Sequence, residues 1–342
     1  MKTLIYILSL CLLCLSVLGQ HADSAQFYLN KGVHFKEEKR WQQARLSLEK
    51  AAHFDTANKE VLLAMGELAL LTNNHYQAIE AFSKLNVLQP NDANVIRRLA
   101  ELFFNAGRYE DAISFGERWE AKHPNEPLHY LMGMSYYHQS NYPIAVNRLL
   151  YAADAETASP YLFYTIGRAY VEMERYEKAV PYYKKAADLD TANARYLYEL
   201  ALVYYAIPND LLAIKSFEEA AARGWKQDAD YDENLGYCYL NVKKYSEAIV
   251  LFKRSLQKKP YQPSLQFVLA ETYYRSGNYA SAIEEWDRLL QINKRDAKAL
   301  YMIGMSYIKM GQKEKGTTLC DQAITIDPTL SSLRQKKINM GL

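Results

Sequence analysis

Small residues recur along the chain at a nearly fixed period. Gly32, Gly66, Ala100, Gly133, Gly167, Ala201, Gly236, Ala270 and Gly304 stand 34, 34, 33, 34, 34, 35, 34 and 34 residues apart. Ala44, Ala78, Ala112, Ala145, Ala179, Ala213, Ala248, Ala282 and Gly316 repeat the same uneven spacings. Two series that share one irregular ruler mark a repeated unit. Small side chains at fixed places let two helix backbones approach where a larger residue would clash. A unit of this length holds two helices and cannot bury its own apolar face, so the units must stack on one another.

The other positions fill in around this ruler. A bulky residue follows the first small position by three: Phe35, Phe103, Tyr136, Tyr170, Tyr204, Tyr239, Tyr273 and Tyr307, with Ala69 the exception. Leu48, Phe82, Leu149, Tyr183, Phe217, Phe252 and Trp286 follow the second small position by four. These steps are helical periodicity. Pro90, Pro124, Pro260 and Pro328 close four of the units, where a helix has to stop.

This pattern resembles the tetratricopeptide repeat, matched nine times over residues 25–330, with units starting at Ala25, Lys59, Ala93, Glu126, Pro160, Ala194, Ala229, Pro263 and Ala297. The resemblance implies an all-α fold, an α-solenoid (right-handed superhelix) of about nine helix pairs. Two units depart from the pattern. The sixth ends in Arg223-Gly224-Trp225-Lys226 with one extra residue, which predicts an irregular turn. The third has Gly116 where an aromatic is usual and Trp119 where an alanine is usual, which predicts an exchange of volume on one helix face.

The ends read differently. Residues 1–19 have Lys2, then an apolar run from Leu4 to Leu18 closed by Gly19, the pattern of a secretory signal peptide. The run is shorter than the roughly 20 residues that span a bilayer. The expected mature chain begins at Gln20, as in many exported proteins of the Bacteroidota that it resembles. Export would place it in the periplasm or cell envelope of a Gram-negative bacterium, or outside the cell. A retained membrane anchor and a lipoprotein are the other readings of the leader. Residues 20–24 form a short lead. At the other end, residues 331–342 read as a capping helix, with Leu333 and Ile338 on one side and Arg334, Lys336 and Lys337 on the other.

Composition narrows the classes of partner. The chain carries 41 basic and 39 acidic residues, and loss of the leader removes only Lys2 from this balance. No basic surplus points to nucleic acid. Cys238 and Cys320 lie two repeats apart, too far for a disulfide between units that touch only their neighbours, and read as small buried hydrophobes. No metal-ligand spacing, phosphate loop or nucleophile elbow is present, so no cofactor, metal or catalytic residue is expected, and the chain reads as a non-enzyme. The histidines are scattered, and His34 and His138 read as solvated or packing residues.

The family resemblance implies that the first helix of each unit lines a concave groove. Its fifth position reads Leu29, Leu63, Arg97, Tyr130, Tyr164, Tyr198, Glu233, Phe267 and Tyr301, and its twelfth includes Tyr137, Tyr205 and Tyr274. The ninth position lacks the Asn of carboxylate-clamp relatives, which argues against a chaperone tail as ligand. In the doublets Tyr136-Tyr137, Tyr204-Tyr205 and Tyr273-Tyr274 the first ring should pack and the second face the groove. The expected binding set is Tyr130, Tyr137, Tyr164, Tyr198, Tyr205 and Tyr274, with Arg168, Arg195 and Arg275 fixing polar groups. Tyrosine offers a rigid face and a hydroxyl at small entropic cost. The expected partner is a protein or peptide segment, with an envelope complex as one setting. Glycan or peptidoglycan strands stacked on the same rings are the alternative.

Overall fold

The computed structural model describes residues 23–154 and 159–332. The expected leader thus lies outside the described residues, as does the capping segment beyond Ser332. The chain forms two compact units, Met1–Ala158 and Ser159–Leu342. All regular structure among the described residues is helical. Each unit is an α-solenoid, with four helix pairs described in the first and five in the second, nine among the described residues, as the expected all-α class requires.

In the first unit, α1 (residues 23–37) pairs with α2 (Trp41–Phe54), and α3 (Lys59–Leu71) with α4 (His75–Leu88). The remaining pairs are α5 (Ala93–Asn105) with α6 (Tyr109–Lys122), and α7 (His129–His138) with α8 (Tyr142–Ala153). The second unit comprises α9 (Pro160–Glu172) with α10 (Tyr176–Leu189), α11 (Arg195–Ala206) with α12 (Asp210–Ala222), and α13 (Ala229–Asn241) with α14 (Tyr245–Lys258). It ends with α15 (Pro263–Arg275) and α16 (Tyr279–Ile292), α17 (Ala297–Lys309) and α18 (Lys313–Ile326), and a 3₁₀ turn, Pro328–Leu330.

The two small-residue series do what close packing requires. Every alanine from Ala44 to Ala282 in the second series is fully buried. The bulky residues four places on supply seven of the largest fully buried side chains: Leu48, Phe82, Leu149, Tyr183, Phe217, Phe252 and Trp286. Where the first small residue of the pair is a glycine, the bulky side chain packs directly over it. A Cβ added to Gly66 would lie 2.7 Å from the Phe82 ring, and one added to Gly236 would lie 2.6 Å from the Phe252 ring. At Gly304 the same space is taken by Cys320 Sγ, 2.7 Å from such a Cβ.

A third series obeys the same ruler, and it is conformational. The turn inside each pair contains one residue of positive φ: Lys39, Asn73, Gly107, Ser140, Glu174, Pro208, Lys243, Gly277 and Gly311. Two places earlier the first helix ends. The residue after the positive-φ position donates its N–H back across the turn, as Arg40 does to the Phe35 carbonyl (2.9 Å) and Lys244 to that of Tyr239 (2.9 Å). This is the left-handed helix stop that satisfies orphan carbonyls. Only three of the nine residues are glycine, which is why no glycine series announces the turn.

Five of the first helices start at a side-chain cap. Asn58, Asp92, Ser159, Asp228 and Asp296 each accept from backbone N–H groups two or three residues on. The irregular sixth turn is present: Gly224 takes φ +90° and Trp225 to Asp228 run without helix before α13. The exchange expected between Gly116 and Trp119 takes another form. Met132, from the following pair, fills the space over Gly116. Trp119 is buried instead against His123, with ring centroids 3.9 Å apart, and its indole N–H donates to the Glu126 carbonyl at 2.8 Å.

Candidate binding surface

The second unit contains most of the expected tyrosine set. Tyr198, at the fifth position of α11, lies with its edge on Phe217, centroids 5.5 Å apart. Its face is covered by Trp225, at 4.3 Å and 16°. Its hydroxyl accepts from Asn234 Nδ2 of α13 at 3.2 Å. Burial raises its pKa above the usual phenol value, with the Asn234 hydrogen bond opposing. The extra residue of the sixth pair thus folds an indole back onto the tyrosine row. Sequence reasoning treated Trp225 only as part of an irregular turn; the one-residue insertion was the available signal.

Tyr205, at the twelfth position of α11, is the open ring of its doublet at 36% exposure, while Tyr204 is 4% exposed. Tyr274 of α15 is half-buried, edge-on to Tyr279 at 5.3 Å and tilted to Trp286 at 6.0 Å. Tyr237 of α13 is half-buried, edge-on to Phe252, and was not in the expected set. Nearby Glu233 has its pKa raised, by burial first and then by Asp230.

Tyr164 corrects the sequence reading. It is 4% exposed, more deeply buried than its supposed packing counterpart Tyr170 at 9%. Its ring is wedged among Tyr183, Tyr196 and Tyr161, with centroids 5.2 to 6.0 Å away. Its hydroxyl donates to Glu199 Oε1 at 3.4 Å, and the Arg195 guanidinium lies 5.4 Å over the ring. Burial, then the Glu199 charge, pushes its pKa up to about 12. Tyr164 is part of the wall between α9 and α11 and presents no face to a ligand.

The arginines are not idle cations. Arg168 pairs with Glu172 at 3.5 Å, Arg195 with Glu199 at 3.6 Å, and Arg275 with Glu271 at 2.6 Å, each across one helical turn. Pairs this exposed contribute about 0.2 to 1 kcal/mol, little enough for an incoming carboxylate or amide to compete.

The first unit holds Tyr130 and Tyr137 on α7. Tyr130 is 43% exposed. Tyr137 is half-buried, edge-on to Tyr142 at 5.7 Å. Its neighbour His138 stacks on Tyr109 at 4.4 Å, and burial lowers its pKa. His34 lies 3.3 Å from Glu38 on the exposed face of α1.

No group of three or more His, Cys, Asp or Glu among the described residues could hold a metal ion. Cys238 and Cys320 are both buried; Cys320 Sγ donates to the Tyr301 carbonyl at 3.6 Å, and burial pushes the Cys238 thiol up to about 12. No helix among the described residues is long and apolar enough to cross a membrane.

Comparison with known proteins agrees with the helix-pair architecture. Residues 63–127 match the tetratricopeptide repeat family, residues 167–207 a TPR repeat family, and residues 226–323 the family of anaphase-promoting complex, cyclosome, subunit 3. Among curated proteins, the chain is 25% identical to BBSome complex member BBS4 of Bos taurus over 117 residues, 34% of this chain and 22% of that protein. It is 29% identical to Superkiller protein 3 of Schizosaccharomyces pombe over 93 residues, 27% of this chain and 7% of that protein. The chain therefore matches less than a quarter of the length of either relative. A TPR repeat-containing protein from Cytophaga hutchinsonii shares the fold at a TM-score of 0.52 and 22% identity, covering 68% of this chain and 95% of that one. The TPR protein YrrB, described as having an unusual peptide-binding site, covers 56% of this chain and all of its own at 21% identity, with a TM-score of 0.48.

Proposed function

Since the chain is a tetratricopeptide-repeat protein, we propose that it is a non-catalytic, exported scaffold that holds a peptide segment of a partner protein along its tyrosine-bearing first helices. Proteins of this family serve as interaction scaffolds, and this reading gives that role a surface. The observation that carries it is the row Tyr198, Trp225, Tyr205, Tyr237 and Tyr274 in the second unit, where rings are half-buried and rigidly held but keep an edge or face outward. Aromatic rings fixed by neighbours lose little entropy on binding and dominate interface energetics. Arg275 follows Tyr274 directly on its helix, while Arg195 and Arg168 lie by the buried Tyr164, and all three can exchange their weak helical partners for polar groups of the segment.

A peptide suits the row better than a sugar chain. Trp225 and Tyr198 each already cover one face of the other, and a glycan needs flat, open faces. Tyr130 and Tyr137 offer a smaller surface of the same chemistry on the first unit. The apolar run of residues 1–19 is what supports the export part of this reading, with the envelope as the proposed place of action.

The test is crosslinking of the tagged, full-length protein in cells, with partner segments mapped by mass spectrometry. Crosslinks that cluster on α11, α13 and α15 and are lost in Tyr205→Ala support the reading. Crosslinks confined to second helices, unchanged by that substitution, would overturn it. Fractionation and N-terminal peptide analysis check export, with Gln20 as the expected first residue.

A further inference from the structure

The ring position that Ala69 leaves empty was the one exception in the bulky series, and the structure shows its consequence. A cavity of about 430 Å³ opens on the second-helix side of the first unit, among α2, α3 and α4. Ala69 lies on its floor with the buried Leu48 and Leu62, and Trp41, Glu49 and Gln77 stand around it. The volume is far above the roughly 30 Å³ a water molecule occupies, and it falls in the range of ligand pockets.

The other repeats show what fits there. The ring at this position lies between the second helix of its own pair and that of the preceding pair. Tyr170 stacks on Tyr182 of its own pair, centroids 5.5 Å apart, and Phe103 lies 5.4 Å from Phe115. From the preceding pair, Lys184 sits 5.8 Å over the Tyr204 ring. Where the preceding pair supplies a glutamate, the phenol bonds to it. The Tyr239 hydroxyl donates to Glu218 Oε1 at 2.5 Å, and that of Tyr136 to Glu117 Oε1 at 3.3 Å. Glu218 and Glu117 occupy the twenty-fifth position of their repeats. The twenty-fifth residue of the first repeat is Glu49, and Glu49 lines the cavity. Arg45 Nη1 donates to Glu49 Oε1 at 3.1 Å, and a carboxylate has further acceptor sites for a second donor. On the far side, Ala81 stands where Tyr182 and Phe115 stand in their own pairs, which widens the space.

We propose that this cavity is a second binding site, built to receive a tyrosine side chain of a partner polypeptide in the place of the missing ring, with its hydroxyl on Glu49. The chain itself provides the template: an apolar floor, a wall from each second helix, and a glutamate at the register where two of its own tyrosines end. The cavity is larger than one ring, which leaves room for the backbone that carries it and favours a polypeptide over a free phenol. The site is separate from the tyrosine row on the first helices and does not depend on it.

The experiment titrates full-length protein with p-cresol, toluene and the peptide Ac-Gly-Tyr-Gly-NH2, following the Met65 methyl and Trp41 indole signals by NMR. Saturable shifts with p-cresol and the peptide at millimolar concentration are expected, with toluene weaker. Ala69→Tyr should raise the melting temperature and weaken both ligands at least tenfold; Ala69→Phe serves should the tyrosine variant misfold. Glu49→Gln should lower affinity for p-cresol severalfold and leave toluene unchanged. An absence of saturable shifts, or shifts that persist undiminished in a folded Ala69 variant, would overturn the site. Binding of p-cresol with exclusion of the peptide would overturn the polypeptide source.

Discussion

Trp225 lies flat on Tyr198, ring centroids 4.3 Å apart and planes 16° from parallel. One residue beyond the regular repeat length makes this contact possible, because the turn after Gly224 has the slack to fold the indole inward. The indole N–H is buried and makes no hydrogen bond among the described residues. An aromatic pair of this kind contributes about 0.5 to 1.5 kcal/mol beyond area burial. Trp225→Ala, which also gives up the indole's buried area, should therefore lower unfolding stability by more than about 1 kcal/mol in urea and free the Tyr198 ring to move. Partner capture should fall at least tenfold, since a loosened ring loses its preorganisation. Unchanged capture with lowered stability would make the stack a structural brace alone.

Helix propensity and packing oppose each other at Gly236, and packing decides. Gly→Ala inside an exposed helix gains about 1 kcal/mol. At Gly236 the added Cβ would meet the buried Phe252 ring at 2.6 Å, and overpacking costs about 1 to 3 kcal/mol. Gly236→Ala should be net destabilising. Gly167→Ala meets the Tyr183 ring at 3.1 Å, a contact that a small ring shift relieves, and should be closer to neutral. Thermal melts of the two variants side by side give the order; a stabilised Gly236→Ala would contradict it.

The core was legible because it is set by volume at fixed register. Leu48, Phe82, Tyr183 and Trp286 were identifiable as core by spacing alone, and all are fully buried. The binding surface was less legible because a register position fixes the direction of a side chain on its helix and not the size of its neighbours. Tyr130 and Tyr164 share the fifth position, yet one is 43% and the other 4% exposed. Tyr196 and Glu199, both from the next repeat, close over Tyr164, and no rule internal to one repeat contains them. Trp119 and Gly116 failed as a local exchange for the same reason: Met132, from the next pair, takes the space. The turns were invisible as a series because six of their nine positive-φ residues are not glycine.

That last observation is itself testable. Lys243 takes φ +61° at a place where Gly277 and Gly311 take +84° and +85°. A side chain in this region costs about 1 to 2 kcal/mol, partly offset by the entropy a glycine adds to the unfolded chain. Lys243→Gly should raise stability by about 1 kcal/mol in chemical denaturation. Gly277→Ala, with open space around its Cβ, should lower it through backbone strain alone.

Alkaline pH should unfold the second unit in a defined window. Tyr164 and Tyr231 have pKa values raised from 10.0 to about 12, by burial first and by Glu199 or Glu218 next. Their phenols ionise earlier in the unfolded chain than in the folded one. The unfolded state therefore binds fewer protons across this interval, and stability falls as pH rises. The contribution is fully present below pH 10.0 and lost progressively towards about 12. Denaturation midpoints measured across that range should decline, and Tyr164→Phe should flatten the decline. A slope unaffected by that substitution would assign the effect to other groups.

The ion cluster of the seventh pair should respond unequally to loss of its partners. Asp232 of α13 is fully buried, while Arg254 and Lys258 of α14 are about one-third exposed. Arg254 grips the carboxylate through two hydrogen bonds, and Lys258 Nζ donates to Oδ2 at 2.6 Å. Removing the cations strands a buried negative charge, and breaking a buried pair this way costs about 3 to 5 kcal/mol. Removing Asp232 leaves two cations that can turn to water, and Asn in its place still accepts hydrogen bonds. The double variant Arg254→Met, Lys258→Met should thus lose several times the stability lost by Asp232→Asn, at an unchanged denaturant slope. Adding Asp232→Asn to the double variant should restore most of the loss, because the stranded charge is then gone. Failure of that third substitution to rescue would show that the arginine and lysine stems, packed along α14, carry the stability and the ion pair does not.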